Sequence, residues 1–221
     1  MRTSGLEACR SERRSARSIY APQRTRGIVT DDETFNKLVS LACHDLRTPL
    51  ATVYGFARTI TRADGLDATL KSYSEMIEQA SQQLTELLDE LSLVARIEGD
   101  RYDPPRETVS TAELAATASE RLGADRVAVS GNGTDVQVDA AAGRSVSALV
   151  QCALRHGGLD QVEVAVDGAE LRVTPITPAS APVVLGEDLR DLGAAVAVSH
   201  VRWLGGSVAV NGDTLSVTFA S

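Results

Sequence analysis

Aromatic residues make up only 4% of the 221-residue sequence, with a single tryptophan. A core must therefore be assembled from Leu, Val, Ile and Ala, and a hydrophobic fraction of 43% is enough for one. Cysteine is scarce too. Cys9, Cys43 and Cys152 are too few and too scattered for a disulfide framework or a zinc site, so no metal site is expected, and this suits a reducing compartment. No apolar run approaches the ~20 residues needed to span a bilayer. The N-terminal stretch has no apolar signal region, so a cytoplasmic location is expected. Positive charge is in deficit: 22 Lys+Arg stand against 30 Asp+Glu, a net charge of -8. That balance argues against nucleic acid as the main partner.

The positive charge that exists is concentrated. Residues 1–30 hold seven arginines against Glu7 and Glu12, and their apolar residues show no period. This stretch reads as a flexible basic arm, either dispensable or in contact with an acidic partner or membrane surface.

From about Thr34 the pattern turns helical. Phe35, Leu38, Ala42, Leu46, Pro49, Val53, Phe56 and Ile60 alternate at spacings of three and four, a heptad-like seam. After a break at Thr61 to Gly65, a second seam runs Leu66, Leu70, Tyr73, Ile77, Ala80, Leu84, Leu87, Leu91 and Val94. It closes at Gly99, and Pro104-Pro105 prevents continuation. Two long helices with a short connection predict an antiparallel hairpin over 31–103. One hairpin cannot bury both seams, so a homodimer pairing two hairpins into a four-helix bundle is expected.

Residues 104–221 predict a different architecture. Ser110-Thr111-Ala112-Glu113 resembles a capping box opening a helix to about Leu122. Strands are expected at Arg126–Ser130, Asp135–Asp139, Val162–Val166 and Leu171–Ile176, with helices at Ala141–Arg155 and Leu189–Leu204. Ser207–Val210 and Leu215–Phe219, joined by Asn211-Gly212-Asp213, read as a closing hairpin. Gly131-Asn132-Gly133 reads as a turn. The expected class is α+β and multidomain, with this second domain a layer of helices on one mixed sheet.

The chemistry concentrates in Leu41-Ala42-Cys43-His44-Asp45-Leu46-Arg47-Thr48-Pro49-Leu50. At about 100° per residue, His44 lies roughly opposite Phe35 and the apolar stripe. A structural histidine would sit on the stripe; this one faces outward. A neutral imidazole is a good nucleophile. Asp45 beside it can act as a base or orient the ring, or it is a solvated helix charge. Thr48 lies one turn on, about 40° from His44, where its hydroxyl can position a water or simply face solvent. Arg47 can neutralise an incoming phosphoryl group, although a solvated arginine is the commoner outcome. Pro49 removes one helical hydrogen bond just past the histidine.

His44-Asp45-Leu46-Arg47-Thr48-Pro49-Leu50 resembles the H-box of two-component sensor histidine kinases of the HisKA type. The resemblance implies His44 as phosphoacceptor and Asp45 as its acidic helper. Asp45-Leu46-Arg47-Thr48 is also similar to the family's acidic-x-x-Thr/Asn phosphatase signature, in which Thr48 would orient water toward the phosphoaspartate of a response regulator receiver domain. Residues 104–221 resemble the family's ATP-binding domain in degenerate form. Where the N-box would hold magnesium and phosphate through Asn side chains, this chain has Ala148 and Cys152. Cys152 can ligate a soft metal or be an inert buried thiol. His156 reads as a helix-end residue. The expected Asp-x-Gly-x-Gly box is replaced by Thr174-Pro175-Ile176-Thr177-Pro178-Ala179, and the next glycine box reads Asp191-Leu192-Gly193-Ala194. Asp191 opposes anion binding at a helix N-terminus. Leu204-Gly205-Gly206 reads as a helix end, His200 as structural and Trp203 as core.

Phosphoryl transfer is chiefly positioning plus charge neutralisation, so loss of these groups removes the means of using ATP and magnesium. The leading expectation is a histidine phosphotransferase built on a kinase scaffold, with autokinase activity doubted. An ATP-dependent kinase with a divergent nucleotide site and a non-catalytic dimeric adaptor that docks response regulators are the alternatives.

Overall fold

The computed structural model describes residues 31–63 and 67–220. The basic arm, Cys9 and Leu66 lie outside the described residues, as do the side chains of Phe35, Leu38, Ala42 and Asp45.

Two helices of equal length form the hairpin, α1 (Asp31–Thr61) and α2 (Ala68–Glu98). Asp67 caps α2 by accepting from the Thr69 amide at 3.3 Å, and Gly99 ends it. The residues buried between the two helices are small. Ser74 Oγ donates to the Ala57 carbonyl at 2.6 Å, and Ala57, Ser74 and Ser81 are all buried. Small side chains let the backbones approach closely, and the large seam residues are left outside the contact. Leu46, Val53, Phe56 and Ile60 on α1 and Leu70, Tyr73, Ile77, Leu84 and Leu87 on α2 are all exposed, Phe56 to 65%. One hairpin leaves both seams uncovered.

The second unit has its elements in the order β1 (Glu107–Ser110), α3 (Thr111–Leu122), β2 (Val127–Gly133), β3 (Asp135–Val138), α4 (Ala142–Gly157), β4 (Val162–Gly168), β5 (Glu170–Thr174), α5 (Ala181–Val184), α6 (Leu192–Trp203), β6 (Ser207–Asn211) and β7 (Thr214–Thr218). The expectation of one mixed sheet is corrected. A five-stranded sheet of order β2-β4-β5-β7-β6 is accompanied by a separate two-stranded sheet, β1-β3. Only β2 and β4 run parallel in the larger sheet. The strand Asp135–Val138 pairs antiparallel with β1, an element too short to show a period.

The core follows from alternation. Val162, Val164 and Val166 of β4, Leu171 and Val173 of β5, and Leu215 and Val217 of β7 point to one face. Val146, Leu149, Val150 and Leu154 of α4 and Val198 and Val201 of α6 meet them. Asp191 caps α6 through the Ala194 amide at 3.0 Å, so the helix begins at Leu192 and not at Leu189. The short α5 has no periodic signature in sequence.

Gly131-Asn132-Gly133 is not a turn. It is the end of β2, in register with Val166, Asp167 and Gly168 of β4. Gly131 has φ +92°, and a β-carbon there would fall 2.1 Å from the Val166 carbonyl oxygen. Gly131→Ala combines a disfavoured backbone conformation with a main-chain clash, and is expected to cost about 2–3 kcal/mol. Urea denaturation should show a lowered midpoint with unchanged slope.

Candidate functional site

The outward face of α1 carries the first constellation. His44 is exposed, and so is Thr48 one turn further on. Pro49 lies inside α1, which continues to Thr61 around it. Proline has no N–H, so one carbonyl of the preceding turn loses its helical donor. Arg47 is not simply solvated: its Nη2 donates to Asp89 Oδ1 of α2 at 2.7 Å, across the hairpin. Asp89 also approaches Arg144 of α4 at 3.8 Å. The carboxylate thus ties the turn after His44 to α2 and, more loosely, to the second domain. The pairs are partly exposed, so their contribution to stability is modest; their value is positional. The Asp45 side chain lies outside the described residues.

The second constellation surrounds the N-terminus of α6. Cys152 is fully buried, and burial, reinforced by the Asp191 carboxylate, pushes its thiol up to about 12. His156, in the last turn of α4, places Nε2 3.1 Å from Asp191 Oδ2. Arg155 Nη1 lies 3.3 Å from the same oxygen. Asp191 Oδ1 meanwhile accepts the Ala194 amide. A phosphate reaching this helix start would meet a carboxylate already holding one of the donors it needs.

The hairpin adds more negative charge. α2 packs on α6 through Leu93 and Val196, with Ala141 completing a small apolar cluster flanked by Val94, Ile97 and Tyr102. This contact carries Glu90 over Gly193, where a β-carbon would lie 3.2 Å from Glu90 Oε1. Burial, then Asp191, then Glu86 hold the Glu90 carboxyl above the usual carboxylate range. A cavity of about 270 Å³ remains between the units, lined by Glu86, Glu90, Arg121, Arg144, Gln151 and Gly193 among others. It is below the ~300–1,000 Å³ usual for small-molecule sites.

A buried polar chain anchors the connection between the units. Tyr102 donates to Asp139 Oδ2 at 2.5 Å, and His200 Nε2 meets the same oxygen at 3.1 Å. His200 Nδ1 is 2.7 Å from Ser145 Oγ. Burial alone would raise the Asp139 pKa, but the hydrogen bonds from His200, Tyr102 and the Ala141 amide outweigh it and hold it low. His200 is thus structural, as its position in the sequence suggests. Trp203 is half-buried and packs edge-on against Tyr102, with ring centroids 4.8 Å apart. The Tyr102 anchor has no local signal in the sequence, because its partners Asp139 and Trp203 are far away along the chain.

With this geometry in view, comparison with known proteins is direct. Residues 36–100 match the His Kinase A (phospho-acceptor) domain. The matched segment is the helical hairpin, and an α/β domain follows it. It is similar to the sensor protein DivL of Caulobacter vibrioides, 24% identical over 98 residues, which are 44% of this chain and 13% of DivL. Its fold is similar to that of full-length ShkA, solved in complex with AMPPNP. That match has a TM-score of 0.60 at 16% identity, over 84% of this chain and 47% of ShkA. The chain therefore spans less than half the length of DivL and of ShkA. Among the described residues, no helix is long and apolar enough to cross a membrane.

Glu90 gives a pH test of the α2–α6 contact. Its folded pKa lies above the ordinary 4.5, so its contribution to stability is fully present below that pH and is lost as pH rises through the raised value. Asp139 has the opposite sign and loses its contribution as pH falls, but it is common to wild type and variant. Glu90→Gln should therefore match wild type in acid and melt at a higher temperature near neutrality. A variant that is less stable at neutral pH would show Glu90 to be a favourable ionic partner instead.

Proposed function

We propose that this protein carries a phosphoryl group on His44 and exchanges it with the aspartate of a response regulator receiver domain. The observation that supports this most is the exposed His44 in His44-Asp45-Leu46-Arg47-Thr48-Pro49-Leu50, inside the matched segment 36–100. An imidazole nitrogen attacks phosphorus of the receiver's aspartyl phosphate. The N–P bond forms, the acyl O–P bond breaks, the carboxylate leaves and the imidazole gives up its proton. Asp45 is the acidic helper for that proton. The reverse step, onto a second receiver, completes a relay. Thr48, exposed one turn away, orients water for loss of receiver phosphate.

In this reading the α/β domain does not use ATP. Ala148 and Cys152 offer no amide to magnesium, and Asp191 and Glu90 surround the helix start at which phosphates would arrive. The functional unit is a homodimer, because two exposed seams on one hairpin need a partner surface of the same kind.

His44→Gln should abolish acid-labile labelling from a phosphorylated receiver. Thr48→Ala should leave labelling largely intact and slow net loss of receiver phosphate. Labelling that survives His44→Gln overturns the assignment, and robust labelling of His44 from ATP restores the kinase alternative. If neither substitution matters while receivers still bind, the protein is an adaptor.

Leu84→Glu with Leu91→Glu should convert the dimer to monomer or unfolded chain in sedimentation, since charges in a bundle core cost several kcal/mol, or roughly 3 per buried unpaired group. A wild-type protein that is monomeric at micromolar concentration contradicts the dimer.

A further inference from the structure

Cys152, His156 and Asp191 have no task in the phosphoryl chemistry of His44, yet they are gathered from two helices. Cys152 and His156 are four residues apart on α4, so they share one face. Asp191 approaches from the N-cap of α6. One sulfur, one imidazole nitrogen and one carboxylate oxygen lie within 4.8 Å of one another, the only such group of three among the described residues. Around a tetrahedral ion with legs of about 2.0–2.3 Å, ligand atoms stand roughly 3.3–3.8 Å apart. His156 Nε2 and Asp191 Oδ2 are already 3.1 Å apart. The sulfur stands about 3.5 Å from N or O around such an ion, so it needs to close by no more than about 1.3 Å, within reach of a side-chain rotation.

We propose that Cys152, His156 and Asp191 form a binding site for a divalent transition metal of the zinc class, with three protein ligands and a fourth position for water or an external ligand. Thiolate and imidazole select such an ion over magnesium or calcium, which take oxygen ligands. An ionised Asp191 only accepts, so the metal-free His156 donates its Nε2 proton to it. On binding, that proton moves to Nδ1 and Nε2 turns its lone pair to the ion. The Cys152 thiol, neutral without metal, loses its proton to solvent, so one proton is released per ion and no oxidation occurs. Asp191 keeps the Ala194 amide on Oδ1 and offers Oδ2. Arg155, which is 60% exposed, competes for that oxygen and swings into solvent.

The test uses the full chain and Co²⁺ as a spectroscopic probe. We expect one equivalent to bind, with the visible bands of a tetrahedral ion and a thiolate-to-cobalt charge-transfer band in the near ultraviolet. Zn²⁺ should displace it and Mg²⁺ should not. Cys152→Ser should abolish the charge-transfer band, whereas Cys9→Ser with Cys43→Ser should retain it. His156→Gln should weaken binding by at least about tenfold, since even outer-shell partners of metal ligands cost that much. Arg155→Ala should tighten it, which a purely structural Arg155–Asp191 pair does not predict. His156 sits at a helix end, so His156→Gln decides the matter if Cys152→Ser fails to fold. Absence of saturable Co²⁺ binding, a charge-transfer band that persists in Cys152→Ser, or unchanged affinity in His156→Gln overturns the site. His44→Gln should leave the Co²⁺ spectrum unchanged, so failure of the phosphoacceptor reading and failure of this one are distinguishable.

Discussion

The packing of α2 on α6 governs most of what is distinctive here. A small apolar contact of Leu93, Val196 and Ala141 turns a hairpin and an α/β domain into neighbours with a shared charged surface. With it go the position of Glu90 over Gly193, the narrow cavity and the approach of Asp89 to Arg144. The Tyr102–Asp139–His200–Ser145 chain holds the connecting segment in a matching place. Asp139, His200 and Ser145 are buried and satisfied within it, so breaking one partner strands the next. The contact is thus maintained by apolar burial and positioned by a polar network that tolerates little displacement.

The two ends of the molecule solve opposite problems. The proposed phosphoacceptor role needs an imidazole that a second protein can reach, and α1 buries Cys43 and Ala57 while leaving His44 exposed. The helix start of α6 would have to offer bare amides to an anion, and here it does not. Asp191 takes the Ala194 amide, and Glu90 stands at the next approach. The neighbouring cations do not reverse this, since Arg155 is engaged by Asp191 and Arg144 reaches toward Asp89. Electrostatics favour a cation at the very place where the architecture suggests an anion.

Much of this was legible in the sequence, and the reasons differ by element. The hairpin announces itself because its seams repeat over many turns, long enough for the 3.6-residue period to dominate. The His44 segment is legible because its residues are contiguous. Asp191 could be read as hostile to phosphate because capping chemistry is local. The β1–β3 pair was not legible, since β1 has four residues and its partner lies beyond a helix and a strand. Nor was the role of Gly131: a glycine that lets a neighbouring strand approach looks in sequence like one that makes a turn. The inward use of small residues in the hairpin was hidden for a related reason, because a seam of large residues looks the same whether it faces its own partner helix or a second molecule.

That last ambiguity bears directly on function. If the large seam residues packed within one hairpin, the chain would be complete as a monomer. Instead Ser74 and Ala57 hold the two helices close, and the helices direct Leu84, Phe56 and Ile60 outward. An exposed apolar stripe from Leu46 to Ile60 on α1 and from Leu70 to Leu91 on α2 is larger than a monomer ordinarily leaves wet. In the proposed homodimer its self-complementary partner is another hairpin, as an isologous interface requires. His44 lies away from that stripe in the sequence, so the proposed pairing would cover the seams and leave the imidazole accessible to the proposed receiver. The same helix thereby serves two contacts, and the angular separation of His44 from the seam keeps them compatible.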